Sequence, residues 1–193
     1  HNMEDTCRYV GLPHKGKFKD GDDYIHLYRK IMSRYLHILQ INKLDLAKAN
    51  WNEGSIELMV VDAMKYELLC DNITRQFYPS LIPGGSYLVH QDFMHFYESW
   101  VHINAYRLRE YIYPVYEVLD SGSMVFKCIC TPPVNLLGFE AKIKDITDEE
   151  IDEAYSWALG LVNARTRNIM GAAHTMAHIH KGNFLHAREL YKY

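Results

Sequence analysis

A chain of 193 residues with 48% apolar side chains is long enough for one well-buried domain, with or without a helical appendage, and too apolar for disorder along its whole length. Its net charge of -3 and pI of about 6.4 give no basic excess, which argues against wrapping nucleic acid, and no apolar run reaches the ~18 residues of a membrane span. Cys7, Cys70, Cys128 and Cys130 form no CxxC pair, and there is no signal-peptide pattern, so reduced thiols in a cytoplasmic protein are expected. The chain begins at His1 rather than methionine, which carries the expectation of a longer polypeptide.

Residues 1–23 are polar and turn-rich and read as a loop or lid. Tyr24, Leu27, Tyr28, Ile31 and Tyr35 recur at helical spacing, with Asp22 or Asp23 as the cap. Residues 36–41 read as a strand, 56–61 as a second, and the stretch from Lys65 as a helix with Leu69, Ile73 and Phe77 on one face. A Pro83-Gly84-Gly85 break leads to a strand over 86–91, then a helix over 93–109. Two strands, 113–119 and 124–129, flank Asp120-Ser121-Gly122-Ser123 as an antiparallel hairpin, and Pro132-Pro133 closes a domain spanning 24–133.

Residues 134–193 differ in character. Thr147-x-x-Glu150 is a capping-box pattern before the stripe Ile151, Ala154, Tyr155, Ala158, Leu159 and Val162. A second helix over 169–179 turns at Gly182-Asn183 into a short third one. So wide an apolar stripe must be covered, either by the sheet domain or by a second copy of the chain; the second copy is the favoured cover by a small margin, giving a homodimer through these helices. His174, His178 and His180 lie close along the second helix; with no carboxylate at the spacing of known zinc helices, they read as a polar helix face.

The chemistry concentrates at two acids. Ile56-Glu57-Leu58-Met59-Val60-Val61 ends in Asp62, and Ser86-Tyr87-Leu88-Val89-His90-Gln91 ends in Asp92, with one helix between. That is the spacing of a β-α-β unit, whose right-handed crossover sets the strands parallel and brings both carboxylates to the carboxyl edge of the sheet.

Three stretches carry a family resemblance: 56–65, Leu81-Ile82-Pro83-Gly84-Gly85 with the strand to Asp92, and 113–128. They resemble the fourth strand, the L-x-P-G-G turn with the fifth strand, and the closing hairpin of class I S-adenosylmethionine-dependent methyltransferases. The nearest branch is the metal-dependent O-methyltransferases, including the macrocin-type sugar enzymes. The resemblance spans roughly residues 36–130. It implies an α/β, Rossmann-like sheet, mostly parallel with a terminal antiparallel hairpin, the first β-α elements missing, and a C-terminal helical appendage.

It further implies methyl transfer from S-adenosylmethionine to a hydroxyl oxygen of a small molecule, a sugar or natural-product-like acceptor, with Mg²⁺ assistance. Asp62, Asp92 and Gln91 are the implied metal ligands. Lys65, three residues past Asp62, is the implied proton acceptor, with Asp62 and His90 beside it in catalysis. Asp45 and Asp62 are the implied cofactor contacts. The chain departs from the family twice: it has no G-x-G loop for the methionine end of the cofactor, and Gln91 stands where an acid is common. Both departures suit the alternative of a catalytically degenerate domain used in assembly or protein interaction.

Overall fold

The computed structural model describes residues 22–97, 99–119, 121–137 and 142–192; Cys7 and the expected lid, apart from Asp22 and Asp23, lie outside the described residues. The chain divides into two units, 1–44 and 45–193. In the first, α1 (Ile25–Ile31) has Tyr24 at its N-cap rather than the expected Asp22 or Asp23, and the Asp23 carboxylate accepts from the Ile25 N–H at 3.0 Å one residue outside it. Residues 36–41 are turn and coil, not the expected strand. Leu36 and Ile38 are exposed, and no strand of this unit's described residues lies alongside to take up their backbone groups.

The second unit is mixed α/β. Its sheet has four strands, β1 (Leu58–Val61), β2 (Tyr87–His90), β3 (Ile112–Val118) and β4 (Ser123–Cys128), in the order β1-β2-β4-β3. β1 and β2 run parallel, while β4 pairs antiparallel with both β2 and β3. Among the described residues the sheet is therefore mostly antiparallel, against the expectation of a mostly parallel one. The hairpin strand β4 inserts between β2 and β3, which adds the antiparallel β2–β4 pair to that of the hairpin itself.

The β-α-β reading of 56–92 holds. α2 (Glu67–Phe77) links the parallel strands, burying Cys70, Ile73 and Thr74. The turn before β2 is built by Gly84, whose φ of 72° suits glycine, and by Ser86. The Ser86 hydroxyl accepts from the Ile82 N–H at 2.6 Å and donates to the Ile56 carbonyl, tying the turn to β1. α3 (Trp100–Arg107) is shorter than the expected 93–109, because residues 93–97 form turns that carry the chain off the sheet edge.

Three helices follow: α4 (Asp148–Gly160), α5 (Ala164–Lys181) and α6 (Phe184–Leu190). Thr147 caps α4 by accepting from the Glu150 N–H at 3.1 Å, but the Glu150 carboxylate turns away to Arg107 on α3. Asn163 caps α5 through the Arg165 and Thr166 N–H groups, and Gly182 ends it at φ 92° in the left-handed conformation.

The apolar stripe of α4 is covered within the chain. Ile151, Ala154, Tyr155 and Ala158 are fully buried in the same core as Leu88, Ile103 and Phe126 of the sheet and α3. The Tyr155 ring lies 4.9 Å from that of His102, and Trp157 stacks over Phe126 at 6.4 Å. Glu117 of β3 accepts from the Asn163 N–H at 2.9 Å and from the Thr166 hydroxyl at 2.7 Å, fastening the start of α5. The stripe therefore gives no reason for a homodimer, and no boundary falls at 133/134. The helices complete the core of the sheet unit, since a four-stranded sheet backed by α2 and α3 leaves one apolar surface for them to cover.

Candidate active site

The parallel register pairs Val61 with His90, so Asp62 and Gln91 leave the sheet together at its carboxyl edge. The Gln91 N–H extends the ladder by donating to the Val61 carbonyl at 2.9 Å. The next residue, Asp92, sits at φ 56°, the left-handed region that aspartate and asparagine tolerate better than most side chains. That turn throws its carboxylate back over the end of β1. Lys65, lifted by the short 63–65 turn before α2, places its Nζ 2.9 Å from Asp92 Oδ2. The Asp62 and Asp92 carboxyls are neighbours, each altering the other's ionisation. Three of the sequence-derived residues, Asp62, Lys65 and Asp92, thus converge.

Their environments push the two acids apart. Burial, then the hydrogen bond and negative charge of Asp92, hold the Asp62 carboxyl above its ordinary range, with Lys65 opposing. Burial would raise Asp92 as well, but the hydrogen bond and charge of Lys65, the hydrogen bond from Asp62 and the nearby His95 bring it below the ordinary value. The pair is one reluctant acid and one stabilised carboxylate, the division of labour that acid–base sites use.

The remaining sequence-derived residues have other positions. His90 is fully buried, its Nε2 3.0 Å from the Tyr78 hydroxyl and its ring edge-on to Phe126, so the proposed base is a core residue with no access to an acceptor. The alternation of β2 forces this: the side chain at 90 turns into the core while Gln91 faces solvent. Asp45 caps the short turn Leu46–Lys48 by accepting from the Ala47 N–H at 3.0 Å, a local task that accounts for an acid at that position. His95 accepts from the Tyr97 N–H at 3.1 Å and stacks on Phe96.

A cleft of about 310 Å³ runs along β1 to Asp62, walled by Trp51, Met59, Ile73 and Phe77. It reaches the low end of the ~300–1,000 Å³ of small-molecule sites, and its walls are predominantly apolar. A larger concavity, about 670 Å³, is lined by residues between Asp22 and Leu44 alone and contains none of the converging acids or Lys65.

A second cluster takes up two of the three histidines noted on the second helix. His174 and His178 of α5 and His186 of α6 all point their Nε2 atoms at one carboxylate, Asp152 of α4. The distances to its Oδ1 are 2.7, 2.9 and 3.2 Å. These histidines are not a polar helix face: His178 is fully buried, while His180 lies outside the cluster with its ring against Tyr97. The missing carboxylate comes from a different helix, 22 residues before His174, and no spacing rule within one helix could have found it.

No family model matches the chain, and no curated protein or solved structure matches it either. No helix among the described residues is long and apolar enough to cross a membrane.

Proposed function

We propose that the chain carries the acceptor side of a class I S-adenosylmethionine-dependent methyltransferase domain, with a Rossmann-like sheet, and moves a methyl group to a hydroxyl oxygen of a small molecule. The reading rests on one observation: Asp62, Lys65 and Asp92 meet at the carboxyl end of a parallel strand pair built on a β-α-β unit. The expected antiparallel hairpin beside that pair supports the same architecture.

The residues take roles from their surroundings. Asp62 in its ionised form, more basic than an ordinary aspartate, accepts the hydroxyl proton. Lys65, 2.9 Å from Asp92, positions that carboxylate. The turn at Asp92 fixes where the acceptor oxygen is held, and alignment is most of the work in an in-line displacement at carbon. The close carboxylate pair, with Gln91 exposed alongside, is an oxygen donor set suited to Mg²⁺, which Asp62 and Asp92 would hold. When bound, that cation would lower the pKa of an acceptor hydroxyl. The apolar cleft ending at Asp62 offers a wall for the cofactor.

The test is calorimetric titration of the chain with S-adenosylhomocysteine, followed by a methyl-transfer assay of Asp62→Asn and Asp92→Asn. Asparagine is chosen at 92 because it tolerates the left-handed backbone there. Saturable binding is expected, and each variant should lose activity by roughly 10²-fold or more with an unchanged melting temperature. Absence of binding would leave the degenerate, assembly-type reading in place. Full activity in both variants would remove the acids from the mechanism.

A further inference from the structure

We propose that Asp152, His178 and His186 form a binding site for Zn²⁺, built where three helices of the C-terminal part converge. Their ligand atoms, a carboxylate oxygen and two imidazole nitrogens, all lie within 4.8 Å of one another. A tetrahedral zinc centre with bonds of ~2.0–2.1 Å sets its donor atoms roughly 3.3 Å apart. The approaches of His178 Nε2 and His186 Nε2 to Asp152 Oδ1, 2.9 and 3.2 Å, lie within a few tenths of an ångström of that spacing, and the two imidazole nitrogens are within 4.8 Å of each other.

The second observation is a frustrated nitrogen. If His178 donates to Asp152 from Nε2, its neutral ring leaves Nδ1 as a bare acceptor. That Nδ1 is buried without a hydrogen-bond partner among the described residues, and the atom it faces is another acceptor, Asp148 Oδ1, at 3.5 Å. A metal ion on Nε2 resolves the conflict, because the ring proton then moves to Nδ1 and points at Asp148. Carboxylate, histidine and metal in a row is the outer-shell arrangement that fixes a ligating imidazole. Lys181, 2.8 Å from Asp148 Oδ1, holds that carboxylate in place. His174 hydrogen bonds the same Asp152 oxygen at 2.7 Å and so helps hold the carboxylate in place.

Imidazole and carboxylate donors together favour a borderline divalent ion over Mg²⁺ or Ca²⁺. With three protein ligands and with Asp152 and His186 each about one-third exposed, a fourth position opens to solvent and takes water. This site shares no residue with the Asp62–Asp92 pair, so it stands whatever that pair does.

The experiment uses the full chain, stripped with a chelator and then titrated with Zn²⁺, and separately with Co²⁺ as a spectroscopic substitute. One ion per chain is expected, with the intense visible bands of four-coordinate Co²⁺. His186→Gln and Asp152→Asn should each weaken Zn²⁺ binding by roughly tenfold or more, while His180→Gln leaves it unchanged. No stoichiometric uptake by the wild-type chain, a weak six-coordinate Co²⁺ spectrum, or undiminished binding in either cluster variant would overturn the proposal. Stoichiometry and spectrum are read on the wild-type chain, so they decide the question even where a substituted chain fails to fold.

Discussion

Acidification from pH 6.5 toward 3 is expected to weaken the fold by as much as about 5 kcal/mol through His90 alone. Burial first, and then the neighbouring His102, push the His90 imidazole down to about 3 from its ordinary 6.5. The ring sits among Phe93, Phe126 and Tyr78 with its Nε2 on the tyrosine hydroxyl, so a proton on it would be a buried charge among aromatic side chains. The unfolded chain binds that proton near pH 6.5 and the folded chain resists it. The stabilisation is complete above 6.5 and drains away as pH falls toward the folded value, at about 1.4 kcal/mol per pH unit inside the window. Urea midpoints across this range should fall more steeply for the wild type than for His90→Gln, whose amide can still bond Tyr78 but cannot titrate there. Carboxylates contribute to both proteins alike, so the difference between the two curves isolates the histidine. Parallel curves would refute the assignment.

Removing residues 147–193 is expected to abolish cooperative folding of the sheet unit rather than release a tidy monomer. Tyr155 shows the scale: it is fully buried between His102 of α3 and His174 of α5, at ring distances of 4.9 and 4.6 Å. Truncating so large a core side chain costs about 3–5 kcal/mol, a large part of the ~5–15 kcal/mol that holds a domain together. Tyr155→Ala should therefore lower the melting temperature sharply, while Tyr191→Ala, at 84% exposure, should stay within about 0.5 kcal/mol of the wild type. Loss of the whole segment takes away Ile151, Ala154 and Ala158 as well, together with the Arg107–Glu150 ion pair. A chain ending at residue 146 that melts in one sharp transition would show that the sheet does not depend on these helices.

What the sequence determined by itself is local and periodic. The β-α-β unit, with Asp62 and Asp92 just past its two strands, follows from alternation, helical spacing and the Gly84 turn, each read within a few residues. The cap at Thr147 is equally local, since a cap bonds the N–H of a residue two or three further on. Lys65 reaches Asp92 because the β-α-β crossover brings it there, so that pair too was within reach of the sequence. Tertiary structure decided the rest. It set β4 between β2 and β3, a choice of edge that no local pattern encodes. It left residues 36–41 without a strand partner, whatever their propensity for one. It turned His90 inward, where one step of register separates a solvent face from a core face. It also assembled the Asp152 cluster from three helices, because packing brings together side chains far apart along the chain, and spacing rules within one helix carry no information about such contacts.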